Sequence, residues 1–109
     1  MTDTDDLAVT TERTGTTVRI IASGELDLAT VPKLREQTDL CLADHAEIIV
    51  LDLSDISFID STGIHAVLEA AQRGPDRVRI IPSAVCLRLF DIVGLTARLP
   101  LIPDDNGMP

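Results

Sequence analysis

Aromatic side chains are nearly absent from this chain, which has two Phe, no Tyr and no Trp in 109 residues. A platform for stacking nucleobases is therefore missing. Any core must be filled by Ile, Leu, Val and Ala, as where helices cover a parallel sheet. Basic residues are scarce too: nine Lys and Arg stand against eighteen Asp and Glu, a formal charge of −9, and they are scattered from Arg13 to Arg98 without a patch. Phosphate neutralisation needs clustered cations, so nucleic acid and anionic membrane surfaces are poor partners, whereas a basic protein surface suits the chain. Lys33 is the sole lysine, and neither a GxxxxGK[ST] loop nor another glycine-rich loop is present. The chain thus has no machinery for handling ATP itself. No segment approaches the roughly 20 apolar residues that span a bilayer. Met1 to Asp6 is acidic, the opposite of a signal peptide's basic lead. The expected location is the cytoplasm. Cys41 and Cys86 form no CxxC. They are expected as reduced, buried thiols, with no metal and no cofactor.

What is present is apolar and patterned. Hydrophobic residues make up 45% of the chain, enough at this length for one core and one domain. Flexible ends are expected at 1–6 and 103–109, around a domain at 7–102. Leu7 to Thr11 and Thr16 to Ala22 are β-branched runs separated by Glu12-Arg13-Thr14-Gly15, which predicts a hairpin. Ser23 to Asp27 is expected to break the second strand and lead to a helix capped by Thr30, with Pro32 in its first turn. Val31, Leu34, Thr38, Cys41 and Leu42 repeat at helical spacing on its inner side. Ile48 to Leu51 reads as a strand buried on both faces. A second apolar cluster, Ile56, Phe58 and Ile59, follows it. The second helix carries Ile64, Val67, Leu68 and Ala71 as its buried stripe and ends at Gly74-Pro75. A strand at Arg77 to Pro82 precedes a third helix capped by Ser83, with Val85, Leu89 and Ile92 inward and Gly94 closing it. Ala97 to Ile102 is expected to add a short edge strand, because Pro100 cannot donate to a ladder. The order ββαβαβαβ predicts an α/β fold, a mostly parallel sheet begun by an antiparallel hairpin, with helices packed on the sheet. Function in such sheets sits where strands end and helices begin.

Asp60-Ser61-Thr62-Gly63 is at one of those places, with Ser61 at or beside the N-cap of the second helix. A helix N-terminus presents unpaired N–H groups and partial positive charge, so it tolerates an anion there, and Gly63 leaves room for another backbone. A phosphoserine fits. No Lys or Arg occurs between Glu47 and Gln72, while Asp52, Asp55 and Asp60 do. A phosphate of about −1.5 to −2 charge on Ser61 would stay at the surface and alter what binds. An ordinary cap hydroxyl for Ser61 and a turn aspartate for Asp60 are the plain readings of the same residues. Enzymatic readings are weaker. Asp52-Leu53-Ser54-Asp55 after a buried strand resembles aspartate-based phosphatases, whose acid/base Asp lies two residues on, whereas Asp55 lies three on from Asp52. A serine hydrolase would have His45 or His65 as base, and there is no GxSxG elbow.

Gly24-Glu25-Leu26-Asp27, Val50 to Gly63 and Leu89-Phe90-Asp91-Ile92-Val93-Gly94-Leu95, in that order, resemble the STAS domain family, specifically the stand-alone anti-sigma factor antagonists of bacteria. The resemblance runs from about Leu7 to Ile102. It implies a regulator rather than an enzyme. An anti-sigma factor with serine kinase activity would bind the unphosphorylated chain and phosphorylate Ser61. It would then be released, and a serine phosphatase would restore the first state. This partner switching would control sigma-factor-dependent transcription. Asp60 and Asp27 inherit a supporting role near the acceptor, within a site completed by Thr62 and Gly63. Glu25, His65 and Glu69 are candidates for the partner-binding surface. His65, where many relatives have a small residue, lies one turn after Ser61 on the face that continues to Glu69, and a merely solvated histidine is the plain reading. The alternative within the family is a STAS module that is never phosphorylated, serving as a scaffold or as a subunit of a transporter or signalling assembly.

Overall fold

The computed structural model describes residues 6–44 and 46–103. The loose ends expected at 1–6 and 103–109 therefore fall, apart from Asp6 and Pro103, outside the described residues, as does His45. Seven elements follow in order: β1 (Leu7–Thr14), β2 (Thr17–Leu26), α1 (Val31–Ala43), β3 (Ile48–Ile59), α2 (Ser61–Arg73), β4 (Val78–Pro82) and α3 (Ala84–Ile92). The sheet has the spatial order β1-β2-β3-β4, with β1 antiparallel to β2 and the other pairs parallel. The expected α/β architecture is the one observed. Its hairpin closes through Gly15 and Thr16, and Gly15 has a φ of 62°, the left-handed value that a two-residue turn with glycine first requires.

Parallel neighbours need crossovers, and α1 and α2 supply them. α1 packs on β1 and β2, α2 on β3 and β4, and the two helices touch each other. Ile20, Leu53, Val67, Ile80 and Phe90 are wholly inaccessible, so strands and helices share one aliphatic core. The carbonyls left unpaired at the end of α1 are met by Arg77, whose guanidinium donates to the oxygens of Cys41, Leu42, Asp44 and Ala46. Cys41 and Cys86 are free and buried as expected, and burial pushes both thiols up in pKa, away from reactivity.

Four expectations need correction. The segment Ser23–Leu26 does not break β2: the strand continues along β3, with register shifts between Ile21 and Ser23 and between Gly24 and Glu25. Gly24 sits in this irregular stretch with a φ of 119°, against the Asp6 carbonyl, which accepts from the Glu25 N–H at 2.7 Å. Accordingly Ile56, Phe58 and Ile59 belong to β3 itself. On α3 the buried residues are Cys86 and Phe90, with Val85 and Leu89 half-buried and Ile92 70% exposed. Two residues past Phe90 is about 200° around a helix, which turns Ile92 to solvent. The last strand shrinks to a single parallel bridge between Ile80 and Leu101, still beside the edge strand β4. Arg98 and Leu99 donate back to the Leu95 carbonyl, so that segment is spent in a turn. Gly94 (φ 78°) does close α3: its N–H bonds Asp91 and that of Leu95 bonds Phe90, the paired pattern of a left-handed helix stop.

Candidate functional site

Two motifs 33 residues apart in sequence meet because β2 and β3 are parallel neighbours that end together. Leu26 lies opposite Ile59, and the Asp60 N–H donates to the Leu26 carbonyl at 3.2 Å. The chain leaves β2 as the loop 27–30 and leaves β3 directly into α2, so both exits stand at the same, C-terminal end of the two inner strands.

The N-cap of α2 is Asp60, and Ser61 is the first helical residue beside it. One Asp60 carboxylate oxygen accepts from the Gly63 N–H at 2.9 Å, which satisfies an orphan donor of the first turn. The other accepts from the Leu28 N–H at 3.2 Å and so ties loop 27–30 to the helix start. With Asp60 performing the cap, Ser61 does not. Its side chain is exposed, and among the described residues its hydroxyl makes no hydrogen bond within the chain. Thr62 is half-buried and Gly63 buried.

Asp27 is brought to the same end but is occupied with its own loop. One carboxylate oxygen accepts from the Ala29 and Thr30 N–H groups at 3.0 and 3.1 Å. Thr30 flanks α1 as expected, yet its hydroxyl makes no cap bond. It donates to the Glu25 carbonyl at 2.7 Å and accepts from the Asp27 N–H at 3.0 Å. Glu25 is exposed opposite Phe58, and His65 is exposed one turn into α2. Glu69 is half-exposed and paired with Arg35 of α1, while Arg73 pairs with Asp39. Both arginines are thus engaged in ion pairs between α1 and α2.

Sequence reasoning missed two apolar side chains at this end: Leu28 is 72% exposed and Phe58 is 48% exposed. An apolar residue in the otherwise small and polar loop 27–30 was the available signal for Leu28. For Phe58 the signal was the three-residue spacing of the buried pair Ile56 and Ile59, which a regular strand cannot bury on one face.

Asp52, the would-be phosphatase nucleophile, is structural. It is 3% exposed, and one carboxylate oxygen accepts from the Ser54 N–H and hydroxyl at 3.0 and 2.6 Å. The other accepts from Arg19 Nε and Nη2 at 3.1 and 2.6 Å. Burial works to raise its pKa, but the bonds from Ser54 and Arg19 outweigh it and hold the carboxyl below the usual aspartate range. A carboxylate engaged on both oxygens offers no free nucleophile.

The STAS domain model of known families matches residues 8–101 of this chain. The chain belongs to the STAS domain family. This STAS domain is 32% identical over 89 residues to the anti-sigma-B factor antagonist of Listeria monocytogenes, covering 78% of each chain. Among solved structures it resembles an anti-sigma factor antagonist from Mycobacterium paratuberculosis, with a TM-score of 0.85 at 22% identity over 98% of this chain and 94% of that one. It also resembles the Bacillus cell fate determinant SpoIIAA in its phosphorylated form, with a TM-score of 0.68 at 25% identity over 93% and 96% of the two chains.

Gly63 gives the site a stability test. A Cβ there would lie 2.7 Å from the Leu26 carbonyl oxygen and 2.8 Å from Ile59 Cγ1. Alanine would gain about 1 kcal/mol in helix propensity against an overpacking cost of about 1–3 kcal/mol. The clash is with backbone, so the cost wins: Gly63→Ala is expected to lower stability by about 1 kcal/mol and to part the two loops. Urea denaturation checks this, and a variant as stable as wild type would contradict the close approach.

Proposed function

We propose that this STAS domain is an anti-sigma factor antagonist switched by phosphorylation of Ser61. In the unphosphorylated state it sequesters an anti-sigma factor that carries serine kinase activity, and so frees the sigma factor. The kinase esterifies the Ser61 hydroxyl at the expense of ATP, and the product leaves. A serine phosphatase returns the chain to its binding state. The cytoplasm, where sigma factors work, is the compartment for this cycle.

The observation that carries the reading is the division of labour at the start of α2: Asp60 caps the helix, and the exposed Ser61 hydroxyl makes no hydrogen bond among the described residues. A residue needed for the cap could not be esterified without loosening the helix, whereas Ser61 can. The names of the antagonists that the chain resembles, and the phosphorylated state of one of them, support the same reading.

Release follows from charge. Swinging a complex from mostly bound to mostly free takes about 5 kcal/mol. One like-charge contact at ~5 Å and an effective dielectric of ~20 amounts to about 3 kcal/mol. A phosphate carries about two charges at neutral pH, and facing acidic or apolar groups of the partner these suffice; Asp60, Asp27, Thr62 and Gly63 complete the acceptor site on this chain. Glu25, His65 and the outer part of Glu69 form the polar face that the kinase meets.

The test is a phosphosite map. The purified chain is incubated with ATP and its cognate anti-sigma factor and digested for mass spectrometry. One phosphate on Ser61, absent from Ser61→Ala, is expected. Absence of any phosphate while the complex persists would favour a constitutive scaffold or an assembly subunit, and a phosphate on Thr62 would move the acceptor by one residue.

A further inference from the structure

We infer that Leu28, with Phe58 beside its tether, is the apolar anchor by which the anti-sigma factor grips this chain, an inference that rests on the function proposed above. Isolated apolar side chains on a surface are ordinary. Leu28 differs in being held out by fixed bonds. Its N–H is bound by Asp60, the next two N–H groups are bound by Asp27, and the Thr30 hydroxyl fastens the far end of the loop to the Glu25 carbonyl. A leucine 72% exposed on a loop pinned at four points loses little freedom when a partner covers it. Phe58, 48% exposed, stands two residues before the same Asp60. The Asp60 carboxylate therefore joins the loop that carries Leu28 to the first turn of the helix that begins at Ser61.

The charges at this end specify the occupant. Segments 20–32 and 47–72 contain no Lys or Arg, while Glu25 and Asp55 are exposed and Asp27 and Asp60 half-exposed. The fitting partner has an apolar pocket and delivers a phosphoryl group next to it. A second copy of this chain, equally acidic, fits poorly. Asp27 and Asp60 accordingly act as positioning residues: they set the anchor and the acceptor at a fixed offset, which explains why carboxylates beside an acceptor are turned toward backbone N–H groups.

Calorimetric titration of the anti-sigma factor with Leu28→Ser, Leu28→Met and wild type tests the inference, alongside kinase kinetics on the same three substrates. Leu28→Ser is expected to bind at least about tenfold more weakly and to raise KM for phosphorylation of Ser61 with kcat unchanged. Leu28→Met is expected to restore most of the affinity, and all three chains should melt alike because the side chain is exposed. Wild-type affinity for Leu28→Ser, with Ser61 still phosphorylated, would overturn the anchor and leave the proposed function standing. A wild-type chain that neither binds nor becomes phosphorylated would overturn both. Loss of self-association in Leu28→Ser, with kinase affinity intact, would assign the patch to a second copy instead and likewise overturn it.

Discussion

Ser61→Ala is expected to hold the anti-sigma factor as tightly as the wild-type chain and to remain bound when ATP is added, whereas Ser61→Asp is expected to bind roughly ten to a hundred times more weakly. The loss is smaller than that from a phosphate because Asp carries one charge and reaches less far. Folding and binding should separate cleanly in this pair. Ser61 is exposed at the first position of a 13-residue helix, where a negative side chain is favoured by about 0.3–1 kcal/mol through the helix dipole. Ser61→Asp should therefore be as stable as wild type or slightly more so while losing its partner. Calorimetric titration and urea denaturation of the same samples check both halves. Wild-type affinity for Ser61→Asp would contradict the charge argument, and lost stability would show that the hydroxyl is structural.

The second large effect lies away from the switch. Asp52→Ala is expected to destabilise the chain by about 3 kcal/mol, because it leaves Arg19 and the Ser54 donors without their shared acceptor in a poorly hydrated site. The Asp52 side chain is 5% exposed and that of Arg19 23%, which places the cost near the lower end for a buried pair. Replacing both by apolar residues, Asp52→Leu with Arg19→Met, should recover most of the loss. The pair also sets an acid limit. In the folded chain Asp52 gives up its proton more readily than in the unfolded chain. Its contribution is therefore fully present above the ordinary aspartate value of about 3.9 and is lost as pH falls through the lower folded value. Urea denaturation at neutral and strongly acid pH should show the gap between wild type and Asp52→Asn closing on the acid side. A gap that widens there would mean that the folded carboxylate holds its proton more tightly.

Much of the fold was legible because its signals are local. Gly15 marks the hairpin, Asp60-Ser61-Thr62-Gly63 the start of α2, Ser83 the start of α3, and the aliphatic runs the strands. The misses share a cause: they depend on a partner distant in sequence. Gly24 reads as a strand breaker until β3 is seen to continue past it with matching irregularities, and then it is a kink in a continuous strand. Thr30 has the composition of a cap, but its hydroxyl is claimed by the Glu25 carbonyl, and the first N–H of α1, that of Val31, is met by the Asp27 carbonyl instead. Ile92 has the right spacing from Leu89 for an inward face, yet the axis of burial runs through Cys86 and Phe90. At the candidate site the proposed acceptor, Ser61, stood out by residue type and position. Leu28 was not, because its exposure is decided by a carboxylate 32 residues further along the chain.

The most direct test compares two forms of one protein. The chain phosphorylated on Ser61 alone and the unmodified chain are titrated against the same anti-sigma factor, and their circular dichroism and melting curves are recorded in parallel. The predicted result is a Kd higher by about ten-thousandfold for the phosphorylated form, with spectra and melting midpoints that superimpose. Equal affinity for the two forms would contradict the claim that an exposed hydroxyl at the tip of α2 governs this surface.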